Sequence, residues 1–149
     1  VDKILVGIDG SESSLKAADY AVELAGKQGG QVIALNVVVS QLGYAYSSGA
    51  FGLVTPSGIN DLLEKSKQEA QVWFDNIGRK ASARGVRLKT EIVASPTSAG
   101  PAIVDYADKN GVDLIVVGTR GRSGFSKLLL GSVASSVVTY ASCPVTVVK

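Results

Sequence analysis

Histidine and methionine are absent from this sequence, and Cys143 is its only cysteine. A single thiol cannot close an intrachain disulfide, and without imidazole beside it zinc and soft metals have almost no ligands. The same absence removes Ser-His-Asp and Cys-His catalysis, because no imidazole is there to act as base. A carboxylate-held Mg²⁺ that arrives with a nucleotide is compatible with what is left. Charged residues are only 19% of the chain, and 15 basic against 13 acidic side chains leave a net charge of +2. No dense Lys/Arg run occurs, so the footprint of a nucleic-acid binder is missing. No apolar run approaches the ~20 residues that span a bilayer. Val1, Asp2 and Lys3 lead at once into strand-like sequence. No signal peptide is read there, and the expected location is the cytoplasm.

What is present is apolar material: 46% of 149 residues, enough for one substantial core, so a single domain over 1–149 is expected. Residues 3–9 form a short apolar run of the kind buried on both faces of a parallel sheet. Ser11 can cap a helix over about 12–28, ended by Gly29 and Gly30, before a second buried strand at about 31–38. Residues 39–59 break the pattern: Gly43, Gly49, Gly52, Pro56 and Gly58 alternate with Tyr44, Tyr46 and Phe51 without periodicity. They read as a surface excursion, or as a lid or partner-contact loop that uses its aromatics. A long helix is expected from Asn60 or Asp61 to about Arg84, with Trp73 packing beside its core stripe. Alternating residues 86–92 predict a half-buried, edge-like strand, and Thr97 or Ser98 should cap a helix over about 99–110. A buried strand at 113–118, a glycine-rich loop, a helix from Gly131 to about Ser142 and a strand over 144–149 complete the chain. Strands separated by helices imply right-handed parallel crossovers and a doubly wound α/β sheet.

The glycine-rich stretch carries the chemistry. Gly118, Gly121, Gly124 and Gly131 interrupt it, Thr119 and Ser132 add hydroxyls, and Arg120, Arg122 and Lys127 add cations. No acidic residue lies between Gly118 and Lys149. In open α/β sheets ligands sit beyond the carboxyl ends of strands where the winding reverses, which here are Asp9 and Gly118. Glycines permit positive φ and let a phosphate approach backbone N–H groups, and the helix opening at Gly131 and Ser132 presents unpaired donors. The spacing is neither a Walker A loop nor a dinucleotide fingerprint. On residue types alone, a phosphate cradle and a merely tight connection both remain open.

The spacing Gly118, two residues, Gly121, nine residues, Gly131 and then Ser132 resembles the nucleotide-binding members of the universal stress protein family. The resemblance extends to Lys-Ile-Leu-Val-Gly-Ile-Asp-Gly-Ser at 3–11, Ala-Leu-Asn-Val at 34–37, and the runs 113–118 and 143–148. It implies that Asp9 holds the nucleoside, that Gly7 leaves room for the base, and that Val37, the residue after Asn36, meets adenine through its backbone. Val117 and Val133 flank the motif and are expected to line the cleft with Gly118, Thr119, Arg120, Gly121, Gly131 and Ser132. Residues 95–101 depart from the family's usual Gly-Asp/Pro helix opening. The expected architecture is an open, Rossmann-like sheet of five parallel strands in the order 3-2-1-4-5. The expected ligand is ATP, ADP or AMP, optionally with Mg²⁺, in a regulatory stress-response protein with no catalytic residue and an unidentified protein partner. A slow ATPase or nucleotide hydrolase, a cyclic-AMP sensor, and a member that only dimerises are the rivals. Strand 144–148 at the sheet edge is expected to pair with a second copy as a homodimer.

Overall fold

The structure, a computed structural model, describes residues 2–39, 56–119 and 130–149, with side chains described from Asn60 onward in the second stretch, Leu62 excepted. Its elements are β1 (Lys3–Gly7), α1 (Glu12–Gln28), β2 (Gln31–Val39), α2 (Pro56–Ala83), β3 (Arg87–Ser95), α3 (Ala99–Lys109), β4 (Leu114–Gly118), α4 (Ser132–Tyr140) and β5 (Val145–Val148). All four strand pairings are parallel, and the order is β3-β2-β1-β4-β5, as the alternation of strands and helices requires. The winding reverses between β1 and β4, so their carboxyl ends open a crevice.

The two-residue period of the strands divides the core. Ile4, Val6, Ile8, Val32, Ala34 and Val116 pack under α1 and α2. Leu5, Ile33, Leu35, Ile115 and Val117 face α3 and α4 on the other side. Helix α1 follows its sequence closely. The Ser11 hydroxyl accepts from the Ser14 N–H at 3.1 Å, and Gly29 closes the helix in the left-handed region at φ 77°.

Some details differ from the sequence reading, among them the end of β3, which runs on to Ser95. Helix α2 begins at Pro56, four residues before Asn60, because proline in a first turn sacrifices no helical hydrogen bond and brings its φ already set. The Gly and Ser content of residues 57 and 58 had disguised that turn as loop. Val39 ends β2, and residues 40–55, with the loop aromatics, lie outside the described residues. Ser98 stands at the start of α3 without a side-chain cap bond. Instead the Ser95 hydroxyl donates to the Ser98 carbonyl at 3.0 Å and accepts from the Thr97 N–H at 3.4 Å.

At the amino end of the sheet, the Asp113 carboxylate accepts from the backbone N–H groups of Asp2 and Lys3, both at 2.9 Å. Those two donors hold its carboxyl below the usual carboxylate range, the Lys3 bond being the larger cause. They also fix the register of β4 beside β1 at the end remote from the crevice.

Candidate nucleotide cleft

The crevice beyond β1 and β4 holds a cavity of about 290 Å³. Its wall is made of Gly7, Asp9, Val37, Val117, Gly118, Gly131, Ser132 and Val133, eight of the residues singled out in the sequence. Residues from three strands, the turn after β1 and the start of α4, spread over more than a hundred positions, therefore meet in one space. Arg120 and Gly121 lie outside the described residues, as do Arg122 and Lys127. Thr119 is not among the lining residues. Its N–H donates to the Val148 carbonyl at 3.1 Å, and its own carbonyl accepts from the Gly131 N–H at 2.7 Å. The backbone of Thr119 thus ties the end of β4 to the end of β5 and to the start of α4.

Of the two properties expected of the glycines, positive φ and room for a phosphate, the first is absent at both described motif positions. Neither Gly118 nor Gly131 has a positive φ: among the described residues that conformation occurs only at Gly10, Gly29, Gly85 and Gly111. Gly131 is the N-cap of α4 with φ −62° and ψ 163°, extended backbone open to any residue. Gly118 points the other way, toward α1. A Cβ there would strike the Ser13 hydroxyl and come within 2.7 Å of the Ser13 carbonyl oxygen. Its bare backbone lets the first turn of α1 close against β4. Gly7 has a related role on the cavity side, where a Cβ would lie 3.0 Å from the Ile103 side chain.

Asp9 is the one carboxylate in the described wall. One of its oxygens accepts from the Ser11 N–H at 2.9 Å, and the Asp9 N–H donates to the Ser14 hydroxyl at 3.3 Å. These bonds fold the chain tightly after β1 and hold Asp9 at the cavity wall. Opposite stands the start of α4, whose first turn contains no acidic residue. The N–H groups of Ser132, Val133 and Ala134 precede the first helical bond, from Ser135 N–H to Gly131 carbonyl, and so face an anion with the positive end of the helix. The floor between these polar ends is apolar: Ile8, Leu35, Ala99, Ile103 and Ala134 join Val37 and Val117. Sequence reading missed those five and Ser14. Leu35 was within reach, since period two puts it on the face of Val37. Ala99 and Ile103 were not, because only the packing of α3 brings them over β1.

No group of three His, Cys, Asp or Glu side chains suited to a metal ion occurs among the described residues. A divalent cation here would depend on ligand phosphates for most of its coordination. No helix among the described residues is long and apolar enough to cross a membrane.

The profile of the Universal stress protein family matches residues 1–149. The chain is 38% identical over 148 residues to universal stress protein MJ0531 of Methanocaldococcus jannaschii, covering 99% of this chain and 81% of that one. It is 36% identical over 148 residues to universal stress protein YxiE of Bacillus subtilis, covering 99% of both. Among solved structures, protein MJ0577 superposes with a TM-score of 0.78 at 30% identity, over 99% of this chain and 95% of that one. A universal stress protein solved in complex with cAMP superposes at 0.66 with 26% identity, over 99% and 95%. The same fold, at 21% and 20% identity, occurs in an Archaeoglobus fulgidus protein in complex with dAMP and an Arabidopsis thaliana protein with AMP bound.

Proposed function

The chain belongs to the universal stress protein family, and from that premise we propose that it binds an adenine nucleotide, ATP, ADP or AMP, in the cleft beyond β1 and β4. The observation that carries this reading is the convergence of Asp9, Val37, Gly118, Gly131 and Ser132 on one cavity. Its apolar floor suits a base, its carboxylate suits ribose hydroxyls, and the start of α4 suits phosphate. The relatives that hold AMP, dAMP and cAMP favour adenine as the base. Strand geometry supports the same choice. Val37 sits two residues after Leu35, whose carbonyl accepts from the Ile8 N–H, so the N–H and carbonyl of Val37 face the same side. A donor beside an acceptor matches the N1 and amino group of adenine and opposes the donor and carbonyl of guanine.

Arg120 and Gly121 belong to the same glycine motif and complete the proposed phosphate cradle. Binding, not turnover, is the proposed activity: the described wall offers one carboxylate, placed at the nucleoside end, and the chain has no histidine to activate water. Nucleotide occupancy would then set the surface that a protein partner reads.

Asp9→Ala tests the reading. Calorimetric affinities for ATP, AMP and adenosine should fall by a similar factor, about tenfold or more, because the lost contact is to the ribose they share. Asp9→Asn keeps the acceptor for the Ser11 N–H and controls for damage to the turn. Loss confined to ATP would place Asp9 at the phosphates or a metal and defeat the assignment. Retention of stoichiometric nucleotide without release of phosphate separates a binder from a hydrolase.

Assembly follows from the sheet edge. β5 lies outermost, with all four residues half-buried, and Val145 and Val147 on one face and Val148 on the other touch apolar clusters. An open apolar edge pairs readily, and a twofold partner would add its own β5 antiparallel. Light scattering at micromolar concentration should give a dimer, and Val145→Asp with Val147→Lys a monomer. A native monomer overturns the pairing.

A further inference from the structure

Asn36 and Ser95 are the buried polar residues of the sheet among the described residues; Asn36 is 6% exposed, and its amide Nδ2 donates to the Ile8 carbonyl at 2.7 Å. That carbonyl has a particular place in the ladder. β1 and β2 run in register from Lys3 with Gln31 to Gly7 with Leu35, and the Ile8 N–H then donates to the Leu35 carbonyl at 2.8 Å. In a regular parallel ladder the next bond would run from the Val37 N–H to the Ile8 carbonyl. Among the described residues that bond is not made, and the Asn36 amide occupies the acceptor instead. Asn36 projects on the α1 and α2 face, with Ala34, while Val37 lines the cavity on the opposite face.

Resting on the reading of the cleft as an adenine-nucleotide site, we propose that Asn36 is the positioning residue that ends the β1–β2 ladder one rung early and so leaves the Val37 N–H and carbonyl for the base. The amide satisfies a buried acceptor that would otherwise draw β2 back onto β1. It also holds the Ile8 carbonyl next to Asp9, so the residue that recognises the base and the residue that holds the ribose are fixed by one side chain. Asn36 itself touches no ligand in this arrangement. Its contribution is the distance between the strands.

Asn36→Leu keeps the volume and removes the donor. With the Ile8 carbonyl unpaired, the strands close, the Val37 N–H takes it, and amide exchange at Val37 slows relative to the native protein. AMP affinity falls about tenfold, the worth of a hydrogen bond lost to the base. GMP affinity falls less, so the preference for adenine over guanine narrows. A residue that merely held the core together would weaken both nucleotides equally. Asn36→His, whose Nδ1–H lies where the asparagine amide lies, restores both the Val37 exchange rate and the AMP preference. Unchanged Val37 exchange in Asn36→Leu, or equal loss for AMP and GMP, overturns the proposal. A native protein that binds neither AMP nor ATP overturns the reading beneath it, and the Val37 exchange rate still decides whether Asn36 holds the ladder open. Should Asn36→Leu fail to fold, Asn36→Ser, with a shorter donor that cannot span the gap, gives the same comparison.

Discussion

Gly131→Val abolishes binding of ATP and AMP while the protein stays folded. The backbone of Gly131 at φ −62° and ψ 163° lies in a region that valine adopts freely, so the substitution carries no conformational strain. Exchanging Gly for Val at an N-cap costs about 1 kcal/mol of stability, a loss that a domain of this size survives. What changes is the cavity wall. Gly131 lines the cavity of about 290 Å³ where α4 begins, and an isopropyl group there is expected to narrow the approach to the first N–H groups of the helix. Phosphate can no longer reach those donors, and affinity drops by about a hundredfold or more, with adenosine affected least because it has no phosphate to place. Calorimetry on all three ligands checks this against the circular dichroism of the same sample. Undiminished ATP affinity in a folded Gly131→Val protein would remove the start of α4 from the binding site.

Gly118→Ala should be the costlier change for the fold, despite adding a single methyl. That methyl would meet the Ser13 carbonyl oxygen at 2.7 Å and its carbonyl carbon at 2.8 Å, which are backbone atoms of the first turn of α1. A side chain could rotate away, but a helix backbone must move as a unit. The displacement reaches Ser14, which bonds Asp9, and Ala17, which is fully buried in the core. Overpacking of this kind costs about 3 kcal/mol, or a melting temperature lower by roughly 10 °C in a chain of this length. A thermal melt tests it, and a native melting temperature would show that α1 yields without cost. Nucleotide affinity should fall as well, since Asp9 moves with α1. The companion substitution Gly85→Ala has open space around the new methyl and a left-handed backbone at φ 66°, so it reports strain without a clash.

The two glycine substitutions divide the motif. In the proposed site Gly131 leaves room for the phosphate that enters the cleft, whereas Gly118 leaves room for the turn of α1 that packs behind it. A spacing rule cannot separate these reasons, because both positions look alike as letters.

Local periodicity settled most of the architecture from the sequence. Apolar runs at 3–9, 31–38 and 113–118 could only be buried strands, helices stood between them, and handedness then left few topologies besides the one found. Ser11 and Gly29 announced the ends of α1 because capping is chemistry of neighbouring residues. The boundaries that slipped, at Pro56 and Val39, lie where composition and local conformation disagree. What no local signal contained was which distant residues would meet. Ile103 and Ala99 reach the cavity through the crossover of α3, and Ser13 confines Gly118 because α1 crosses β4 at that height. Asn36 reads in sequence as one polar residue inside an apolar strand. Only the pairing of β2 beside β1 puts the Ile8 carbonyl within reach of its amide. Sequence by itself determined the elements, their order and the residues proposed to bind phosphate, since those depend on spacing along the chain. The tertiary structure alone decided what each of those residues faces, since that depends on distances between segments that the chain brings together only when the sheet is wound.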